Sequence, residues 1–448
     1  MESPVFQQVL LESDLFIVTI FQIARLSVGN PIAAMQKTLL FISPVTPDPE
    51  GTGLSIRSHN FIKALSRAYA IHLLVVPENL RRPASRPAKP DCCESIDRIG
   101  VWHPSAIPAI FRHLLFRAGI PGCRLYPTTS AALRYATAGR IRKLQRTIAG
   151  RTYQAVHIFR LRMVPFGLWI KAEHPETKLY LDLDDIESLV HERIAILQAT
   201  QGRRDSAMFH LKEAENYRTL ERQWLPCFDK VYVCSENDRR TVRETYRLDR
   251  VQVVPNVVAI RPPAPPRAGA AGPFVFLFLG SFGYFPNNDG VSFFVHEILP
   301  IMREKMRKSF QLLLAGPNMP HCVRRSIAKI PEIRYLGRVP SVEDAYRQSD
   351  AAIIPLRVGG GTRIKALEAF SFSVPVISTR LGLEGLDVLH DKHVLIADSA
   401  DEFAAHCRRM AQESCLRERL AANAYQLVRD KYSLAVCEQC LSTMAGQI

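Results

Sequence analysis

Short, nearly continuous apolar runs recur along this chain, and the stretches between them carry helical spacing. In the first half the runs are Lys37–Ser43, Ile71–Val76, Ile99–Trp102, Ala155–Phe159, Lys178–Asp182, Val231–Cys234 and Val251–Val254. In the second half they are Phe274–Leu279, Gln311–Ala315, Ile333–Leu336, Ala351–Leu356, Val374–Ser378 and Val394–Ala397. Strands without polar alternation are buried on both faces, which requires parallel sheets covered by helices. The sequence therefore predicts an α/β protein. At 448 residues one core is too few, so two domains are expected. The Pro-, Gly- and Ala-rich stretch from Arg261 to Pro273 reads as the linker between them. The expected organisation is an extension over 1–35, an N-terminal domain over 36–257, a linker over 258–273, a C-terminal domain over 274–432 and a tail helix over 433–448.

The most chemical stretch is Gly359-Gly360-Gly361-Thr362-Arg363-Ile364-Lys365-Ala366-Leu367-Glu368. It joins an apolar strand to a helix. Bare glycines let backbone amides approach a ligand, and a helix N-terminus attracts anions. Thr362 suits the N-cap, which puts Arg363 and Lys365 in the first turn. Cations there oppose the helix dipole by about 0.3–1 kcal/mol each, unless an anion sits at the turn. Glu368 follows where a carboxylate can take a ribose hydroxyl pair. The alternative is an ordinary glycine-rich connection with two solvated cations. Glycines at other strand ends, Gly280, Gly316 and Gly337, extend the row of turns along the same sheet edge and favour a nucleotide crevice.

The net charge is +15. From Arg98 to Ala172 there is no Asp or Glu, while Arg and Lys interleave with apolar residues such as Ile110, Phe111, Leu114 and Phe116. Such a segment suits lipid headgroups or a lipid diphosphate. No nucleic-acid-binding module accompanies it, so nucleic acid is not an expected partner. The 10 cysteines are scattered, with Cys437 and Cys440 as a lone pair that cannot fill a zinc site. Leu15–Phe21 is too short to span a bilayer, which takes about 20 apolar residues. Acidic Glu12 and Asp14 stand where a signal peptide would carry positive charge, and Met35 offers an alternative start. The expected location is the cytoplasm, peripherally at the inner membrane.

Two further loops matter. Ser43–Gly53 ends in Gly51-Thr52-Gly53 before a helix, at the edge where parallel sheets bind ligands. Asp182, Asp184 and Asp185 cluster where another strand meets a helix; one is expected to cap that helix and another to face the crevice as an acid, base or hydroxyl acceptor.

In order and spacing these segments resemble glycosyltransferase family 4, of the GT-B type. The resemblance runs from Lys37 to about Tyr432. It rests on the Gly51–Gly53 loop with Arg57 and Asn60, Val253–Val257, Leu279–Ser281 with Pro286–Asp289, Ala315-Gly316, Leu336–Val339, Gly361–Ala369, and Pro375–Thr379 with Gly382, Glu384 and Leu386. It implies two Rossmann-like domains facing a cleft, the C-terminal one holding a nucleotide-diphosphate sugar and the N-terminal one a glycan or lipid-linked acceptor. It further implies retention of the donor's anomeric configuration and no metal or other cofactor. Arg363 and Lys365 would stabilise the leaving diphosphate, beside Gly360, Gly361, Thr362 and Leu367. Glu368 matches the ribose-binding glutamate, and Gly337, Arg338 and Val339 match the base-binding turn. Gly51, Thr52 and Gly53 would close over the phosphates, and Gly280, Ser281, Asn287 and Gly316 would line the donor side. Asp184 and Asp185 complete the catalytic candidates.

Three positions depart from the family pattern. Gly360 replaces the usual glutamate, Ser281 and Asn287 fall where Arg and Lys are usual, and Ser373 replaces a helix-ending glycine. The Gly-Gly-Gly-Thr-Arg-x-Lys branch usually shows the first two together. The expected activity is hexosyl transfer in bacterial surface polysaccharide synthesis. A non-catalytic nucleotide-binding protein and a sugar-nucleotide epimerase of the same fold are the alternatives.

Overall fold

The structure is a computed structural model that describes residues 37–77, 89–100, 135–262, 272–306, 308–361 and 363–445. The extension over 1–35, Thr362, most of the linker and residues 101–134 of the basic stretch lie outside the described residues.

In the first half the strands are β1 (Thr38–Ser43), β2 (Ala70–Val75), β3 (Ser95–Arg98), β4 (Ala155–Phe159), β5 (Lys178–Asp182), β6 (Lys230–Val233) and β7 (Val251–Val253). They form one seven-stranded sheet in the order β3-β2-β1-β4-β5-β6-β7, with every pair parallel. In the second half β8 (Phe274–Leu279), β9 (Phe310–Ala315), β10 (Ile333–Gly337), β11 (Ala351–Ile354), β12 (Val376–Ser378) and β13 (Leu395–Ile396) form a six-stranded parallel sheet in the order β10-β9-β8-β11-β12-β13. The helices of the first half are α1 (Gly53–Leu65), α2 (Ala138–Ile148), α3 (Val164–Glu173), α4 (Glu187–Thr200), α5 (Arg204–Trp224) and α6 (Glu236–Tyr246). Those of the second are α7 (Phe285–Phe293), α8 (Leu299–Lys305), α9 (His321–Ile327), α10 (Val342–Arg347), α11 (Ile364–Ser371), α12 (Ala400–Gln412) and α13 (Ser414–Lys431), followed by α14 (Leu434–Ala445).

The near-continuous apolar strands are buried on both faces. Leu40, Ile42, Val156 and Ile158 face a core closed by α2, α3, α5 and α6, while Leu39, Phe41 and Phe159 face α1 and α14. α14 therefore returns to the N-terminal sheet: Cys437 and Leu441 pack in the α1 cluster, and Gln252 Nε2 donates to the Cys440 carbonyl at 2.8 Å.

Three expectations need correction. The edge strand is Ser95–Arg98, ahead of the Ile99–Trp102 run; Ile99 is buried beside it, and Trp102 lies outside the described residues. No aspartate caps α4, because its N-cap is Ile186 and has no side-chain bond. In the described part of the acid-free stretch, expected as a whole to meet lipid headgroups or a lipid diphosphate, several cations are engaged within the protein instead. Arg140 is buried and donates to the Tyr135 and Pro77 carbonyls, and Arg160 and Arg162 bind carboxylates brought from later in the chain. Ser373 does adopt φ 56°, so the left-handed helix end is kept without glycine.

Arg57 on α1 is the deepest charge. It is fully buried and donates through Nε and Nη2 to Asp182 at 2.8 Å each, and through Nη1 to the Val254 carbonyl and Asn256 Oδ1 at 3.0 Å. It ties α1, β5 and the end of β7 together. Removing one partner of a buried pair leaves an unpaired charge, which costs about 3–5 kcal/mol. Arg57→Met is expected to lose about that much in urea denaturation, while Arg57→Met with Asp182→Leu recovers most of it.

Candidate functional site

The carboxyl edges of the two sheets face each other across a cleft. On the C-terminal side a chain of contacts crosses the sheet edge. Gly316 has φ 138°, and a Cβ there would lie 2.0 Å from the Gly280 carbonyl oxygen, so only glycine permits the approach. The Gly316 amide donates to the Gly337 carbonyl at 2.7 Å. A Cβ on Gly280 would meet Asn287 Nδ2 at 2.8 Å, and that amide donates to the Ser281 carbonyl at 2.8 Å. The Asn287 oxygen accepts from the Lys365 ammonium. Asn287 thus supplies an acceptor where a cation would repel Lys365. Arg338 is exposed beyond Gly337, and Val339 packs on the core edge. Leu367 is fully buried in the C-terminal core, so its side chain does not reach the cleft.

Arg363 is the N-cap residue of α11, one position before the first turn, and Thr362 lies outside the described residues. The Arg363 side chain is 7% exposed, with Nε donating to the Leu381 carbonyl at 3.4 Å and Nη2 buried without a partner among the described residues. Its guanidinium fills the space against Gly359, where a Cβ would lie 2.7 Å from Nη2. Neither Arg363 nor Lys365 has a carboxylate partner among the described residues. Burial, with Arg363 nearby, lowers the Lys365 pKa to about 7. Burial also raises Glu368 to about 7, against the opposing pull of Lys365. The Glu368 carboxylate has no hydrogen-bond partner among the described residues, which leaves it available to a ligand.

The N-terminal wall carries the acids. Arg160, with φ 77°, donates through Nη1 to Asp184 Oδ2 at 2.6 Å and Asp185 Oδ2 at 2.8 Å, and through Nη2 to Glu187 Oε1 at 2.8 Å. Burial and then Asp185 push Asp184 up to about 6, with Arg160 and Arg57 opposing. Burial works against ionisation of Glu187, yet Arg162 and Arg160 hold it below the usual range. Asp185 Oδ1 faces the glycine turn: a Cβ on Gly361, at φ 64°, would lie 2.5 Å from it, and one on Gly360 would lie 3.1 Å from it and 2.5 Å from Val190 Cγ2. The space that a side chain at 360 would need is therefore filled from the opposite domain.

The loop Gly51-Thr52-Gly53 lies on the same side. Thr52 Oγ1 caps α1 by accepting from the Ser55 amide, and Gly53 sits against Ile364, with 3.3 Å between a built Cβ and Ile364 Cδ1. The N-termini of α1 and α11 thus converge, and both dipoles point their positive ends into the cleft.

Sequence reasoning missed the brace that holds the walls together. Arg193 on α4 pairs with both oxygens of Glu384 at 2.6 Å and donates to the Gly359 carbonyl at 2.8 Å. Val190 and Ile194 pack on Val358, and Gln201 donates to Asp289, which in turn holds Arg357. Arg193 reads in sequence as one more charge on a solvated helix. Only Glu384, inside Gly-x-Glu-Gly, carried a signal. Among the described residues no group of three or more His, Cys, Asp or Glu is arranged to hold a metal ion. No described helix is long and apolar enough to cross a membrane.

The two parallel sheets and the cleft between their carboxyl edges settle the architecture. The fold is GT-B. Residues 273–413 match the family model Glycosyl transferases group 1. The chain superposes on a sucrose-phosphate synthase from Thermosynechococcus elongatus with a TM-score of 0.67 and 17% identity, over 92% of this chain and 98% of that one. It superposes on Anabaena HepE, solved in complex with UDP and glucose, with a TM-score of 0.62 and 12% identity over 92% and 100%. An E. coli trehalose-6-phosphate structure, bound with UDP-2-fluoro glucose, gives 0.60 and 14% over 92% and 99%. In sequence, 166 residues are 26% identical to an uncharacterised 44.6 kDa protein of the Klebsiella pneumoniae cps region. That match spans 35% of this chain and 42% of the relative, so the chain covers less than half of that relative's length.

An anion that joins Arg363 and Lys365 stabilises the charged ammonium and raises its pKa above the unliganded value near 7. Binding of a nucleoside diphosphate is then expected to take up a proton between about pH 7 and 9, with affinity falling as pH rises through that window. Calorimetry in buffers of different ionisation enthalpy reads this directly, and Lys365→Met is expected to abolish the uptake.

Proposed function

We propose that the protein is a retaining, metal-independent glycosyltransferase. It moves a hexosyl unit from a nucleotide-diphosphate sugar to a glycan or lipid-linked acceptor in bacterial surface polysaccharide synthesis. The observation that carries this reading is the pair Arg363, buried, and Lys365, half-buried, at a helix N-terminus beside a glycine turn, with no carboxylate in salt-bridge contact among the described residues. Such an arrangement is costly unless an anion neutralises it. The group 1 match over the C-terminal half, the UDP ligands of the superposed structures and the cps-region relative support the same class.

In this reading the donor diphosphate lies between the α1 and α11 N-termini. As the bond from the anomeric carbon to the diphosphate oxygen breaks, charge builds on the leaving group. Arg363, Lys365 and the turn amides meet that charge with fixed donors, so no metal is called for. Glu368 takes the ribose diol and the Gly337–Val339 turn takes the base. Asp185, fixed by Arg160 through one oxygen, offers the other to a donor-sugar hydroxyl. Asp184 is the proton acceptor held near neutrality. The acceptor enters from the N-terminal wall, with its hydroxyl directed to the face from which the diphosphate departs. The brace through Arg193 holds the walls closed and limits water.

The test is thermal unfolding with UDP, GDP, ADP and their sugars. One nucleotide class is expected to stabilise the wild type, by about 2.7 kcal/mol at a hundredfold excess over Kd, and to fail with Glu368→Ala. With that donor and an acceptor pool, Arg363→Ala is expected to lower kcat by about 10²–10³. Stabilisation without turnover would instead identify a non-catalytic nucleotide-binding protein.

A further inference from the structure

The hairpin of α4 and α5 has two ends with different chemistry. At its base Glu187 binds Arg160 and Arg193 binds Glu384, so this end forms the cleft wall. Ala214, Tyr217, Leu220 and Trp224 seat α5 on the first sheet. Towards the opposite end one side packs on the C-terminal half, where Gln201 donates to Asp289, and the other side is apolar and solvent-facing. Ile196, Met208, Phe209 and Leu211 are 59%, 66%, 56% and 47% exposed. Only Ile260, Tyr284 and Leu389 are comparably exposed among the described residues, and they lie elsewhere, so the apolar surface is concentrated at this tip. Exposed Arg203, Arg204 and Lys212 interleave with it and have no carboxylate partner among the described residues. Asp205 is the single acid between residues 196 and 212.

We propose that this tip docks on an anionic lipid bilayer. Ile196, Met208, Phe209 and Leu211 enter the boundary between headgroups and acyl chains, and Arg203, Arg204 and Lys212 meet the lipid phosphates. Charge selects this occupant. A two-fold contact with a second copy would press the same three cations against themselves, whereas a lipid surface supplies the missing anions. Leu211 and Lys212 lie one turn on from Met208, so apolar and cationic side chains alternate around the exposed side of α5, as a shallow interfacial helix requires. The docking itself does not rest on the donor reading.

The experiment is co-sedimentation with vesicles of phosphatidylglycerol and phosphatidylethanolamine, and with phosphatidylcholine vesicles as the neutral comparison. Wild type is expected to sediment with the anionic vesicles and not the neutral ones. M208S/F209S/L211S and the charge reversal R203E/R204E are each expected to weaken that binding about tenfold or more while keeping the wild-type Tm. The substituted side chains are exposed, so Tm reports whether a variant has simply misfolded. Wild-type-like binding by both variants would overturn the proposal and move lipid contact to another basic surface. So would absence of wild-type binding, or a dimer that the apolar variant converts to monomer with vesicle binding unchanged.

Discussion

Everything in the cleft depends on how closely two backbones approach at Gly360 and Gly361. Asp185 and Val190 of the N-terminal half occupy the volume that side chains at these positions would take. Glycine here is a condition for the walls to meet. Because they meet, an Asp185 carboxylate oxygen lies 3.1 Å from where a Cβ at position 360 would sit, presented from the other domain. Arg193 secures the same place from the flank by holding the Gly359 carbonyl and Glu384 together.

Charge is divided between the walls. The N-terminal wall gathers Asp184, Asp185 and Glu187 around the Arg160 guanidinium, with Arg162 also on Glu187, so its acids sit in fixed positions. Among the described residues the C-terminal wall carries Arg363 and Lys365 with neutral hydrogen-bond acceptors only, the Leu381 carbonyl and the Asn287 amide oxygen. Burial, and then the neighbouring Arg363, depress the Lys365 pKa, and the pull of Glu368 offsets this only in part. A cleft with ordered acids on one side and unneutralised cations on the other suits an anionic leaving group facing hydroxyl-bearing substrates. Arg57 borders this set: it is fully buried with Asp182, lies 3.7 Å from Asp184 and ties the fold together.

Much of this was legible in the sequence. Apolar runs buried on both faces have one structural solution, so the two parallel sheets could be read from the strands alone. The glycine turn and its cations were legible because bare backbone beside misplaced positive charge has few bland explanations. What was not legible depended on contacts between distant segments. Asp182, Asp184 and Asp185 look alike in sequence, and only the partner of each tells them apart: Arg57 for the first, Arg160 for the others. Arg140, Arg160 and Arg162 read as part of a lipid-facing basic stretch until the fold brings backbone carbonyls and carboxylates to them. The return of α14 to the first sheet left no local mark either.

The most direct measurement is a crystal structure with a bound nucleoside diphosphate. The account predicts the diphosphate between Gly53 and the N-terminus of α11, bonded to the Arg363 guanidinium and the Gly361 amide, with the ribose on Glu368. A nucleotide bound away from the Gly359–Glu368 turn, with Arg363 still unpartnered, would contradict it.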